Sequence, residues 1–303
     1  MFYDLNVPWT DNNVELQRTV AFLHELGYDV IALTNHISGK VPNDLKPPIP
    51  SPLPFPTPPK LRFLRRCTLS LSDPAQNHRI SALNQAYDIL ALRPTDEKTL
   101  QQACTNLDCD LISLDLTIRY PFYLRFTTLA AALNRGIKFE ICYAAGVLAS
   151  DSHARRNLIS NATQLIRATR GRGLVISSEA RRAAGCRGPW DVVNLAAVWG
   201  LSQEKGKEAV STLARSLVVN AGLKRTSYKG VVDVVYGGEA PSLSAQAKGK
   251  GQDGSNKRSN GEMEGMQENR KSEKPLSKRE MKRQAKRAKL EAEQTGQPEN
   301  AAS

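Results

Sequence analysis

Residues 155–222 decide the fold class of this chain, and their sequence is RRNLISNATQLIRATRGRGLVISSEARRAAGCRGPWDVVNLAAVWGLSQEKGKEAVSTLARSLVVNAG. The pattern predicts a basic amphipathic helix over 155–170, a buried strand over 173–178, an apolar helix from Pro189 to Trp199 and a last helix over 202–221. A loop with Arg181, Arg182 and Arg187 follows the strand. Ligands of α/β proteins collect at the carboxyl ends of strands, and arginine in such a place favours phosphate.

The same alternation of strands and helices extends back to the start of the chain. Seven strands, most of them followed by a helix, predict a mostly parallel sheet. Because no G-x-G-x-x-G follows the first strand, a dinucleotide-binding fold is disfavoured. The fold class that we predict is α/β, as a closed or nearly closed TIM-like (β/α) barrel. Its predicted strands are 2–7, 30–34, 65–71, 87–92, 110–116, 138–143 and 173–178, and further predicted helices are 12–26, 95–106 and 125–135.

Composition divides the chain into a barrel over residues 1–240 and a low-complexity basic tail over 241–303. The tail has almost no large apolar residues, so burial cannot offset its chain entropy and we expect it to be disordered. Within the barrel, the nine prolines of segment 42–59 predict extended chain, an insertion or docking strap that is not a core element.

One part of the tail, residues 278–293, has the residues of a helix and a capping box at its start. Two basic rows along that helix suit an RNA backbone or a nuclear-import receptor, although a solvated charged helix without a partner explains them as well. The rows are Lys278, Lys282 and Lys286, and Arg279, Arg283 and Arg287.

The charge of the chain is +12, from 42 Lys+Arg against 30 Asp+Glu. The tail holds 14 of the basic and 9 of the acidic residues, so the barrel is basic by itself. This excess predicts a polyanionic partner, while solubility stays open as a plainer explanation. Five cysteines without a C-x-x-C predict buried thiols in a reducing compartment. Without a secretory leader or a membrane-spanning apolar run, we expect a cytosolic or nuclear protein with no membrane partner.

Arginines are concentrated on the helix over 155–170 and on the segment after it. That helix has Leu158 and Leu165 on an apolar face and polar side chains on another. An ordinary exposed helix face accounts for this pattern, but the arginines of the following loop favour phosphate contacts. The candidate phosphate contacts are Arg155, Arg156, Arg167, Arg170, Arg172, Arg181, Arg182 and Arg187.

A metal-dependent phosphoesterase is the enzymatic alternative, and it would need several histidines and carboxylates at many strand ends. Of the histidines, only His36 and His153 fall where a barrel mouth is expected; the others are His24 and His78. Asp4, Asp115 and Glu140 are the carboxylates that would add oxygen ligands. Ser177 and Ser178 lack a nucleophile elbow, so we predict that they cap a turn. This supply is thin, and we predict no catalytic residue and no metal ligand in this chain.

Several segments together resemble one protein family. Collinear over about residues 1–236, they are similar to the barrel-like protein subunit of ribonuclease P and ribonuclease MRP, called p-thirty, or Rpp-one in fungi, and we expect a fungal member. The segments are Phe2-Tyr3-Asp4-Leu5-Asn6, residues 27–36 (GYDVIALTNH), Tyr120-Pro121-Phe122, Arg155-Arg156-Asn157-Leu158, residues 174–178 (LVISS) and residues 187–195 (RGPWDVVNL).

The resemblance implies a barrel related to the polymerase-and-histidinol-phosphatase (PHP) enzymes, with Asp4-Leu5-Asn6 where those enzymes carry His-x-His. It implies a noncatalytic subunit that binds no cofactor, while magnesium ions on the RNA subunit support cleavage. The implied partners are the ribonuclease P and MRP RNAs, precursor tRNA, whose 5′ leader is removed, and an RRM-like Pop-five subunit, in the nucleus and nucleolus. The candidate arginines would then contact RNA, and with only 6% aromatic residues we expect backbone recognition rather than base readout.

Overall fold

Seven parallel strands form the sheet of this protein, and they lie side by side in chain order. A computed structural model describes residues 1–11, 13–39, 41–42, 45–72 and 79–226. Each strand pairs with the next along the chain, which is the topology of a (β/α) barrel wall. The strands are β1 (Tyr3–Pro8), β2 (Val30–Ile37), β3 (Arg62–Leu71), β4 (Ile89–Pro94), β5 (Leu111–Leu114), β6 (Lys138–Cys142) and β7 (Leu174–Ser177). All seven predicted strands are confirmed, with shifted ends.

Bonds just beyond β7 bring the two end strands together. The backbone N–H of Ser178 donates to Asp4 Oδ1 (3.1 Å), and that of Glu179 donates to the carbonyl oxygen of Asn6 (2.8 Å). A register shift interrupts the β1–β2 ladder between Asp4 and Val7. The sheet is therefore a nearly closed, TIM-like barrel, as predicted.

Helices follow most strands and surround the barrel. The predicted helix over 202–221 is wrong in one respect, because the chain forms two helices that break at Ser211. The Ser211 carbonyl accepts from the backbone N–H of Arg215, so this serine begins the second helix, a position that serine favours. The helices are α1 (Asn13–Glu25), α2 (Ile80–Ala86), α3 (Glu97–Thr105), α4 (Phe126–Asn134), α5 (Ala144–Val147), α6 (Ser152–Thr169), α7 (Pro189–Val198), α8 (Gln203–Val210) and α9 (Thr212–Thr226).

Helix α9 closes the amino end of the barrel. Its Ala214, Leu217 and Ala221 pack into an inner apolar cluster with side chains from the first residues of the strands. The Arg225 guanidinium at its end donates to Asp110 Oδ2 (2.8 Å) and to backbone oxygens before β4. Because α9 covers the amino end, the carboxyl ends of the strands are the open side of the barrel interior in the described part of the chain. The strand residues of the inner cluster are Tyr3, Leu5, Val30, Ala32, Leu64, Ile89, Ala91, Leu111 and Val175.

The proline-rich segment contributes to the core, which corrects the prediction. Its described part has no helix or strand, as prolines dictate. Ile49 and Phe55, however, are buried in the outer cluster between sheet and helices. Apolar residues alternate with prolines here, so extended chain lays their side chains on the barrel.

The remaining general features agree with the sequence. All five cysteines are free and buried, as predicted, and burial raises the pKa of Cys67 to about 12. Within the described ranges, no helix has the length and apolar character needed to cross a bilayer. All described residues belong to one compact unit, Met1–Gly237.

Candidate nucleic-acid interface

One ion pair between non-adjacent strands crosses the barrel interior. Arg66 on β3 and Glu140 on β6 are fully buried, and two N–H···O contacts of 2.5 and 2.6 Å join guanidinium and carboxylate. The guanidinium also donates to the Leu5 carbonyl oxygen on β1 (2.6 Å) and to Thr68 Oγ1 (3.1 Å). Burial by itself would raise the pKa of Glu140. The paired guanidinium outweighs this effect and lowers the pKa to about 2. The pair is thus charged, and it ties three strands together.

Asp4 is a second buried carboxylate, and it joins the barrel seam. Its Oδ1 accepts from the backbone N–H groups of Ser178 (3.1 Å) and Asn6 (3.2 Å). Burial and, after it, the charge of the Asp4 carboxyl raise the pKa of Tyr143, a member of the outer cluster. Burial raises the pKa of Asp4 to about 6, against hydrogen bonds from Ser178. Ser178 Oγ accepts from the Ala180 N–H, confirming its predicted turn-capping role.

The side chains that we considered as metal ligands do not converge. Asp115 Oδ1 accepts from the N–H and hydroxyl of Thr117 (3.1 and 2.6 Å), while Glu140 and Asp4 have the partners given above. His24 is exposed on α1, and His78 lies outside the described residues. In the ranges that the structure describes, no group of three His, Cys, Asp or Glu side chains is arranged to hold a metal ion.

A cavity of about 350 Å³ lies at the carboxyl ends of the strands, and we call it the barrel mouth. Arg93 at the end of β4 reaches across it to Glu179 (2.8 Å) and Ser113 Oγ (3.1 Å). Glu179 adopts a left-handed backbone (φ +56°), rare for a residue with a side chain. Desolvation and the charge of Arg93 lower the pKa of nearby His36, while Glu179 raises it. The mouth is lined by Arg93, Asp115, Thr117, Ala144, Ala145, Leu148, Glu179, Arg181 and Arg182.

The candidate arginines do not share one surface. Arg181 and Arg182 line the mouth and are exposed, and Arg155 and Arg156 begin α6 on the same side of the barrel. Arg187 lies further along the chain, where its guanidinium donates to the carbonyl oxygens of Ala184 and Cys186.

The other three candidates lie towards or beyond the end of α6. The 18 residues of α6 span about 27 Å at 1.5 Å each. Arg170, whose guanidinium lies over the Phe126 ring (5.0 Å), and Arg172 precede β7, at the amino end of the barrel. Arg167, in the last turn of α6, borders a separate groove. Arg170 and Arg172 therefore lie about one helix length from Arg155 and Arg156 at the start of α6.

That groove, which we call the α6 groove, has a volume of about 1170 Å³. It lies between α6 and the segment after β5, and His153 and Arg167 border it from α6. Arg119 and Tyr123 border it from the opposite side. Sequence reasoning missed both, although Tyr120-Pro121-Phe122 beside them was part of the family resemblance. The sequence signal that could have identified them is an arginine and a tyrosine on either side of a Tyr-Pro turn that follows a strand.

Several predicted elements lie outside the described residues. They are Asn12 at the start of the predicted helix over 12–26, the tail with its helix over 278–293, and the auxiliary basic residues Lys278, Arg279, Lys282, Arg283, Lys286 and Arg287.

Comparison with known proteins places the chain in a family. A sequence model described as RNase P subunit p30 matches residues 1–226. The chain is 41% identical over 236 residues to probable ribonuclease P protein subunit 3 of Schizosaccharomyces pombe, covering 77% of this chain and 99% of that protein. It is 35% identical over 256 residues to ribonuclease P/MRP protein subunit RPP1 of Saccharomyces cerevisiae, covering 77% and 84%.

A solved structure supports the fold. The chain matches one chain of a cryo-EM structure of archaeal ribonuclease P with mature tRNA at a TM-score of 0.60 and 13% identity, covering 76% of this chain and 97% of that one. Sequence similarity over nearly the whole length of the relatives decides the assignment: this chain belongs to the RNase P subunit p30 family.

Proposed function

We propose that this chain is a noncatalytic protein subunit of ribonuclease P, and of ribonuclease MRP, that braces the RNA of these particles. The observation that carries the proposal is the similarity to the two fungal relatives, one named a ribonuclease P subunit and the other a ribonuclease P/MRP subunit. In this role the chain supports removal of the 5′ leader of precursor tRNA and the processing of ribosomal RNA precursors.

The barrel interior supports a scaffold rather than a reaction chamber. Helix α9 closes one end, and the Arg66–Glu140 pair crosses the middle. Glu140 is held by a guanidinium that competes with any cation for its oxygens, because a positive charge already occupies that position. The phosphoesterase alternative counted Glu140 among its possible oxygen ligands, so this geometry favours the subunit. We propose that the chain binds no cofactor and that magnesium acts on the RNA subunit.

The basic surfaces are the proposed RNA contacts. Arg181 and Arg182 at the mouth and Arg155 and Arg156 on α6 form one group. Arg167, Arg170, Arg172 and Arg187 are proposed contacts at other places, with the six basic tail residues as auxiliary contacts or import signal. Each phosphate neutralised by such a side chain releases counterions, so binding should weaken steeply with salt.

The proposed partners are the ribonuclease P and MRP RNAs, precursor tRNA and an RRM-like Pop-five subunit, in the nucleus and nucleolus. An affinity tag on the full-length chain tests this, through sequencing of the RNAs and identification of the proteins that co-purify. We expect both particle RNAs, with ultraviolet crosslinks to RNA within residues 155–187. Absence of both RNAs would refute the proposed function, and absence of crosslinks in that range would refute the site assignment alone.

A further inference from the structure

We propose that the α6 groove binds an unpaired segment of RNA, with one base stacked on Tyr123 and adjacent phosphates on Arg119 and Arg167. This inference rests on the proposed function, since it names the form of RNA that one surface of the subunit recognises. It also changes our expectation of pure backbone recognition, because an aromatic ring is placed where a base can reach it.

The charge of the groove is of one sign. Among its lining residues there is no Asp or Glu, while Arg119, Arg167 and His153 contribute exposed basic side chains. Within the described chain, neither Arg119 nor Arg167 has a carboxylate within ion-pair distance. The barrel mouth differs, because Glu179 neutralises its Arg93 and Asp115 also lines it. Unneutralised arginines that border a concave surface favour a phosphate-bearing ligand.

The aromatic ring at the groove edge is held out into solvent. Tyr120 and Phe122 pack on each other (centroids 5.1 Å apart), and the Tyr120 hydroxyl donates to the Asp115 carbonyl oxygen (2.8 Å). Leu124 is buried on the other side, while Tyr123 between these anchors is 82% exposed. Exposed aromatic side chains beside basic ones are what unpaired bases stack on in single-strand binding proteins.

The wall that carries Tyr123 is fastened to α6. Asn161 Nδ2 donates to the carbonyl oxygens of Leu116 (2.9 Å) and Ile118 (2.8 Å). One helical turn earlier, Asn157 Nδ2 donates to the carbonyl oxygen of Thr117 (2.9 Å). These bonds make the groove a preformed site, and little ordering entropy remains to be lost when a ligand binds.

Size and base accessibility favour an unpaired strand over a duplex. At about 1170 Å³ the groove exceeds the roughly 300–1,000 Å³ of sites for drug-sized molecules, which leaves room for more than one nucleotide. Bases of a double helix are already stacked on their neighbours, so only splayed, unpaired bases can meet the Tyr123 ring.

The test uses the full-length chain and two fluorescein-labelled RNAs, a 12-nucleotide single strand without self-complementarity and a 12-base-pair duplex, with affinity measured by fluorescence anisotropy. Tyr123→Ala should weaken single-strand binding on the order of 10- to 100-fold, the range of one base–aromatic stack, and leave duplex binding unchanged. Tyr123→Phe keeps the ring and should stay within about twofold of wild type. Because the side chain is exposed, both variants should unfold at the wild-type temperature.

The two arginines have a separate readout. Arg119→Ala with Arg167→Ala should lower the slope of log K against log salt for the single strand by about 1.4, at about 0.7 per phosphate. Arg18→Ala is the matched control, since Arg18 is exposed on α1 and lies 3.9 Å from Glu15. It should leave the slope unchanged.

The outcomes separate this inference from the proposed function. If Tyr123→Ala and the double arginine variant both bind the single strand like wild type, the inference is wrong, while particle RNAs that still co-purify leave the proposed function standing. If Tyr123→Ala instead removes another protein from the purified particle without changing RNA affinity, the groove is a protein interface and the inference is wrong. A chain that recovers neither particle RNA refutes the proposed function itself.

Discussion

Removing one partner of the Arg66–Glu140 pair should destabilise the barrel strongly without touching its outer surface. In Glu140→Gln the shape is kept but the guanidinium of Arg66 remains buried without a counter-charge. Breaking a buried pair in this way costs about 3–5 kcal/mol. If the pair is a structural cross-brace, folding stability changes while RNA affinity, measured at a temperature where the variant is folded, does not.

The magnitude also follows from the Glu140 carboxyl itself. Its pKa falls from 4.5 to about 2 in the folded protein, and at 1.36 kcal/mol per pH unit this corresponds to about 3 kcal/mol. Because the folded pKa is lowered, this stabilisation is present above pH 4.5 and is lost as the pH falls towards 2. For a domain of this size, 3–5 kcal/mol corresponds to a fall in Tm of about 6–20 °C.

A double-mutant cycle measures the pair directly. The variants are Arg66→Met, Glu140→Leu and the double variant, each unfolded in urea at pH 7 and followed by circular dichroism and tryptophan fluorescence, whose transitions must coincide. We expect the double variant to cost less than the sum of the single variants, with a coupling energy of about 3 kcal/mol. Some cost should remain, because the Leu5 carbonyl and Thr68 hydroxyl lose a donor.

Two results would contradict the structural role. One is additivity of the single variants within about 0.5 kcal/mol, which would mean that the two side chains do not interact. The other is Glu140→Gln with wild-type stability at pH 7 but impaired cleavage by the particle, which would place Glu140 in the chemistry.

Three further changes test other parts of the protein. Arg181→Ala with Arg182→Ala should lower the salt slope of RNA binding by about 1.4–1.8, and an unchanged slope would remove them as phosphate contacts. Between pH 4 and pH 7.5, the stability of Asp4→Asn in urea unfolding should rise by about 2 kcal/mol relative to wild type. The reason is that the raised Asp4 pKa of about 6 makes the wild type lose stability as the pH rises; a pH-independent difference would contradict this. Gly173→Ala should destabilise the protein by about 1–3 kcal/mol, since φ is +62° and a leucine of α4 fills the space that a Cβ would take. Gly222→Ala, which has open space around it in α9, should instead stabilise the protein by about 0.5–1 kcal/mol. Equal melting temperatures of the two variants would refute this contrast.

Local patterns explain why the strands and most helices were predictable. Short apolar runs between helix caps and glycines predict β1 to β7 from neighbouring residues alone, and parallel pairing in chain order follows from the helices between them. The same locality explains the error at Ser211, because helix-forming residues on both sides of this serine predict one continuous helix. It also explains why the burial of Ile49 and Phe55 was not predicted, since a proline-rich composition does not indicate which surface the segment packs against.

Side-chain partners depended on distances that no local pattern contains. Arg66 and Glu140 are 74 residues apart, and only closure of the barrel brings them together. Asp4 and Ser178 are 174 residues apart. Asp4, considered as a metal ligand, joins the two end strands because closure of the barrel brings the Ser178 N–H to its carboxylate.

The sequence by itself determined the order of the elements, the basic character and, through collinear motifs, the family, because each depends on residue types and their spacing. The tertiary structure alone decided which charges neutralise one another, that the candidate arginines lie on separate surfaces, and that Tyr123 faces Arg167 across a groove. The physical reason is that helix and strand formation is governed by adjacent residues, whereas a binding surface is made of side chains whose proximity arises only when distant segments pack.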